Sequence, residues 1–266
     1  MTAVDHSRQR SRLPGTTLAH EIVGTLWPGR DDRDGRLPPL FLALTFVTGI
    51  VDATSYLRLG HVFVANMTGN VVFLGFGLAG AAGISVWASV TALGSFLVGG
   101  MIGGRTAVCL GDDVRRLLAT ALGIQTALVA VAAGVAAFAG HHLAADARYA
   151  LVALLAVAMG IQNAAARKLA VADLTTTVLT LTLTGIASDS NLVGGSGAKL
   201  GRRGLAVAAM LLGALIGGLL ALKVDIAAPL IVATVVLAFV VGAATRIARG
   251  PGRSASDVSR PVSSPR

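Results

Sequence analysis

Residues 204–222 read GLAVAAMLLGALIGGLLAL, a run with no charged side chain. An α-helix needs about 20 such residues to cross the hydrocarbon core of a bilayer. Strands of a membrane β-barrel alternate apolar and polar positions, and this run does not alternate. It reads as a transmembrane helix. Five further blocks of the same character lie at 38–57, 85–104, 117–140, 147–166 and 227–247. Together they make the chain an all-α membrane protein with about six spans.

Composition points the same way. Of 266 residues, 54% are hydrophobic and only 13% charged, against about 25% charged in an ordinary soluble domain. The net charge of +9 comes from 22 Lys and Arg against 13 Asp and Glu. Those cations sit mainly in the two ends and the short connections, which is the distribution that retains loops on the cytoplasmic side. No basic stripe with interleaved aromatics appears, so nucleic acid is not an expected partner. The lipid bilayer is. Cys109 is the single cysteine, which excludes an intrachain disulfide.

Residues 1–37 are polar and Arg-rich and lack the apolar core and small-residue cleavage site of a signal peptide. They read as a disordered cytoplasmic leader. Within it, Leu18, Ile22, Val23, Leu26 and Trp27 fit one face of a short interfacial helix or belong to loosely ordered chain. The Ser/Pro/Arg-rich stretch 249–266 reads as a disordered cytoplasmic tail. The transmembrane domain is 38–248.

Two shorter apolar stretches remain. Residues 62–80 open with Asn66, Thr68 and Asn70, and 174–187 is threaded with threonines from Thr175 to Thr184. With both stretches re-entrant and the N-terminus inside, 19 basic residues face the cytoplasm and three, Arg58, Arg148 and Lys223, face out. If both crossed, the partition would fall to 15 against 7. Six spans plus two short helices is the arrangement the charges favour.

The two halves, about 38–140 and 147–248, resemble each other. Gly49-Ile50-Val51-Asp52-Ala53 aligns with Gly160-Ile161-Gln162-Asn163-Ala164 at an offset of 111. Asn66 to Asn70 aligns with Val178 to Thr182 at 112, and Leu97 to Gly104 with Leu211 to Gly218 at 114. Three spans per half is an odd number, so the six-span arrangement makes these inverted repeats. Inverted repeats carrying a short helix in corresponding places are a recurring plan of transporters and channels.

Gly99 and Gly103, Gly100 and Gly104, and Gly213 and Gly217 put small residues at four-residue spacing, which lets helices approach closely in lipid. Such faces are also compatible with a homo-oligomer. Asp52 is the one carboxylate well inside an apolar block. A charge there is costly and marks a candidate proton or cation site. The alternative places it at the outer end of its span, wetted or paired with Arg58. On the span 38–57 it lies about 7 Å outward of the midplane. Asn163 takes the equivalent place in the second half.

Asn66, Thr68 and Asn70 head the first short helix, where free amide N–H groups favour anions or polar solutes. Thr180 and Thr182 repeat them, and Gln162 and Asn163 stand where Val51 and Asp52 stand. Read together, Asp52, Asn66, Thr68, Asn70, Gln162, Asn163, Thr180 and Thr182 outline a substrate or ion site. Read singly, each is a cap or an inter-helix hydrogen bond. Gly75 to Gly80 spells GxGxxG, but no strand precedes it. Gly194 to Lys199 lacks the ending of a phosphate loop, and His141 and His142 lack metal-ligand spacing and partners. No cofactor, metal or catalytic constellation is expected, so the chain does not read as an enzyme.

The stretch from Gly49-Ile50-Val51-Asp52-Ala53 through Asn66-Met67-Thr68-Gly69-Asn70 resembles the YoaK-type family of bacterial membrane proteins of unknown function. Met159 to Ala164 with the threonine run to Leu183 is similar to that family's second signature, although Leu181 stands where a Gly is expected. The resemblance, over about 38–248, implies a multi-spanning inner-membrane protein. The expectation from all of this is a small-solute transporter or channel. The alternative is a membrane-embedded assembly or regulatory protein whose polar residues only hold helices together.

Overall fold

The computed structural model describes residues 14–28, 37–111, 113–140, 143–169, 179–189 and 200–247. These residues form α1 (Pro14–Leu26), α2 (Leu37–Arg58), α3 (Met67–Leu78), α4 (Val86–Leu110), α5 (Val114–Ala139), α6 (Ala145–Leu169), α7 (Leu179–Ser188), α8 (Leu200–Lys223) and α9 (Ala227–Ile247). Six of them, α2, α4, α5, α6, α8 and α9, are long and apolar enough to cross a membrane. With 12 residues α3 is too short to cross, and α7 has 10 described residues. No strand occurs among the described residues.

Local chemistry sets the helix ends. Ser85 Oγ accepts from the Ala88 amide at the start of α4, and Asp225 Oδ1 accepts from the Ala228 amide at the start of α9. Each satisfies one of the free N–H groups at a helix N-terminus. Asp113 does the same before α5 through the Arg116 amide. In α6, Asp146 opens the first turn while Arg167 and Lys168 close the last, matching the helix dipole at both ends. Inside α2, Thr45, Thr48 and Thr54 donate their hydroxyls to carbonyls four residues back, so none costs an unsatisfied group in the membrane.

Residues 14–26 of the leader are helical rather than disordered. Glu21 Oε2 accepts from the Gly201 amide at 2.9 Å, which fixes α1 against the first turn of α8, and Thr25 is buried. The rest of the leader and the tail 249–266 lie outside the described residues.

The core packs α4 along α6, α2 along α8, and α5 against both α6 and α9. Two of these crossings, each joining one half to the other, are made by equivalent residues. A Cβ placed on Gly99 would meet the Val157 backbone, and one on Gly213 would meet the Phe46 backbone. Gly103 faces Ile161 as Gly217 faces Ile50, and Gly160 faces Phe96 and Gly100 as Gly49 faces Met210 and Ala214. Every pair maps onto its counterpart at the offsets 111 and 114. Of the two overlapping glycine rows on α4, the contact therefore uses Gly99 and Gly103. A Cβ on Gly100 or Gly104 would meet nothing within 4 Å. Trp87, Met101, Leu211, Leu219 and Phe239 are exposed and apolar, as expected of side chains facing lipid.

Candidate functional site

The connection from α2 to α3 turns through Gly60 and His61, both at positive φ, and doubles back along α2. Asp52, 4% exposed, meets it: Oδ1 accepts from the Val64 and Ala65 amides at 2.9 and 2.8 Å. Asn70, fully buried, reaches the same loop from α3. Its Oδ1 accepts from the Phe63 amide and its Nδ2 donates to the Phe63 carbonyl at 2.6 Å. Gly69 makes room for the Phe63 ring, since a Cβ there would lie 2.7 Å from it. That ring stacks with Tyr56 and Phe73. Backbone without helical partners survives at membrane depth only when protein satisfies it. Asp52 and Asn70 supply that satisfaction.

Asp52 is thus turned into the loop, and among the described residues it forms no ion pair with Arg58. Its Oδ2 is buried and has no hydrogen-bond partner among the described residues.

Gln162 belongs to a second cluster. Its Nε2 donates to Thr48 Oγ1 at 3.0 Å, and its Oε1 accepts from Gln125 Nε2 at 2.6 Å. The chain of bonds joins α5, α6 and α2, and all three side chains are buried. Thr48 lies one turn before Asp52 on α2, where residues four apart are neighbours. The two clusters thus form one polar seam along α2. Gln125 went unnoticed in the sequence. The available signal was an uncharged amide alone within the apolar block 117–140. Its Oε1 is buried and unpartnered, like Asp52 Oδ2 and Ser89 Oγ on α4.

Of the other expected residues, Asn66 brings its backbone amide to the Asp52 carboxylate, and the side chains of the rest join neither set of bonds described above. Asn66 precedes α3 without capping it through its side chain, and Asn66, Thr68 and Thr180 are exposed. Asn163 is half-buried and donates to the Met159 carbonyl at 2.9 Å, while Thr182 is buried. The threonines 175–177 lie outside the described residues. The eight-residue constellation is not one pocket. What comes together is Asp52 with Asn70 on the loop, and Gln162 with the unforeseen Gln125 and Thr48.

These features define a multi-pass α-helical membrane protein in which two short helices interrupt the series of spans. The chain belongs to the family described as "Protein of unknown function (DUF1275)", which matches residues 40–243. It is similar to the UPF0700 transmembrane protein YoaK of Bacillus subtilis (strain 168), with 38% identity over 150 residues, 56% of this chain. The match spans 65% of that relative's length. The resemblance read from Asp52 and the Asn66–Asn70 motif thus holds. No solved structure matches the chain.

Proposed function

We propose that this is a small-solute transporter or channel of a bacterial inner membrane, with its polar site between two inverted repeats and both termini cytoplasmic. The observation that carries the reading is chemical. Among the described residues, every buried side-chain atom without a hydrogen bond is an oxygen: Asp52 Oδ2, Ser89 Oγ and Gln125 Oε1. Two of them flank the seam that joins α2, α5 and α6. A buried acceptor is costly unless something donates to it, so the solute that suits the seam is a proton or small cation. An anion would leave Asp52 Oδ2 and Gln125 Oε1 worse off, while the Ser89 hydroxyl can serve either partner. The reciprocal glycine contacts support the repeat, because each half offers the other the same crossing.

A second reading has its own observation. Asp52 Oδ1 and both ends of the Asn70 amide bond to backbone groups of the α2–α3 loop, with Asn70 Nδ2 also donating to Met67 Sδ. That is what a scaffold requires, without transport. Sealed proteoliposomes of the purified chain separate the two. The transport reading expects proton, Na⁺ or K⁺ flux above that of empty vesicles, lost in Asp52→Asn while that variant still folds. Wild-type vesicles as tight as empty ones to all three ions would leave only the scaffold.

A further inference from the structure

Trp27, at the end of α1, and the membrane-surface ends of α2 and α9 enclose a groove of about 980 Å³. Its walls include Trp27, Leu40, Val235, Phe239, Gly242 and Arg246. On α9 the spacing from Val235 through Phe239 and Gly242 to Arg246 is four, three and four residues, so one helix face lines the groove. Gly242 leaves it open, since a Cβ there would meet nothing within 4 Å. The α1 wall is held by the Glu21 contact with Gly201.

Among the described residues, Arg246 is the one charged side chain in this lining. It has no ion-pair partner among the described residues. The chain that follows carries Arg249, Arg253, Arg260 and Arg266 against Asp257 alone, so its charge does not complement Arg246. Trp27, 79% exposed at the rim, has the amphipathic ring that settles at headgroup level. A cation beside an indole at the mouth, above an apolar slot between two spans, matches one chemistry: a phosphate attached to acyl chains.

We propose that this groove is a binding site for an anionic phospholipid, with an acyl chain along Leu40, Val235 and Phe239 and the headgroup phosphate against Arg246. The site is separate from the polar seam and does not rest on the transport reading. Basic pockets between spans at the membrane surface are where anionic headgroups are recognised.

The test is native mass spectrometry of the full chain in detergent, titrated with phosphatidylglycerol or with phosphatidylcholine of identical acyl chains. The wild type should retain phosphatidylglycerol about fivefold better, the discrimination one surface cation gives. Arg246→Gln should bring the two lipids to equal occupancy. Gly242→Leu fills the slot without displacing a neighbour and should cut retention of both. Phosphatidylglycerol alone should raise the wild-type melting temperature, as a ligand of the folded state must. Equal retention of the two lipids by the wild type overturns the proposal. So does a preference that survives Arg246→Gln. Retention unchanged in Gly242→Leu, or a dimer that excludes lipid and is lost in that variant, overturns it as well.

Discussion

Gly213 rests on the Phe46 carbonyl, and no side chain larger than hydrogen fits between α8 and α2 at that point. One half-chain away, Gly99 rests on Val157 in the same manner. Without a hydrophobic drive between helices in lipid, close backbone approach is what holds spans together. The chain makes this contact twice with equivalent residues, so the two crossings bear the same constraint.

Gly99→Ala and Gly213→Ala should each destabilise the protein by about 1–3 kcal/mol, the range for overfilled packing. Gly104→Ala should not, because a Cβ there meets nothing within 4 Å. Thermal unfolding in detergent measures all three. Equal losses at the three positions would mean that both glycine rows of α4 are packed.

The spans were legible because an apolar block near membrane length has one stable solution, and because α3 is too short to share it. Which glycine row carries the crossing was not legible. Gly99–Gly103 and Gly100–Gly104 have the same spacing, and only the partner helix chooses between them. Gln125 was missed for a related reason. Its partner Gln162 is 37 residues away and bonds in turn to Thr48, 114 residues distant, so no local pattern marks the seam. For α1, the apolar face was visible, but the Glu21 contact that fixes it spans 180 residues. Asp52 and Asn70 were identified as polar groups inside apolar blocks, and their shared loop became visible only once α3 folded back.

Asn70→Ala should be the most damaging change at the loop. It strips the Phe63 amide and carbonyl of partners supplied by a buried side chain at a part-buried place, at up to about 1–3 kcal/mol for each orphaned group. Thr68→Ala, on the exposed surface, should stay within about 0.5 kcal/mol of the wild type. Melting curves of the two variants decide it. A stable Asn70→Ala would show that the loop does not depend on this clamp.

An even number of spans puts both ends on one face, and the leader and tail hold ten of the 22 basic residues, with Arg246 at the end of α9 an eleventh. Reporter fusions before Met1 and after Arg266 should both read cytoplasmic. Ends on opposite faces would require α3 or α7 to cross, despite the 12 residues of α3 and the 10 described residues of α7. The proposed inverted relation of the halves would fall with it.

The seam can be tested apart from transport by a double-mutant cycle. Gln162→Leu removes the acceptor of Gln125 Nε2 and so leaves the whole Gln125 amide buried without a partner. Gln125→Leu is the milder change. It deletes an oxygen that already lacks a donor, and Gln162 keeps its bond to Thr48. Replacing both by leucine removes the stranded groups together, and apolar pairs in place of a polar pair are often nearly neutral. The double variant should therefore lose less stability than the sum of the singles, with a coupling of about 0.5–3 kcal/mol. Chemical unfolding of the four proteins gives the coupling directly. Simple additivity would mean that the two amides are independent, and the polar seam would then end at Thr48.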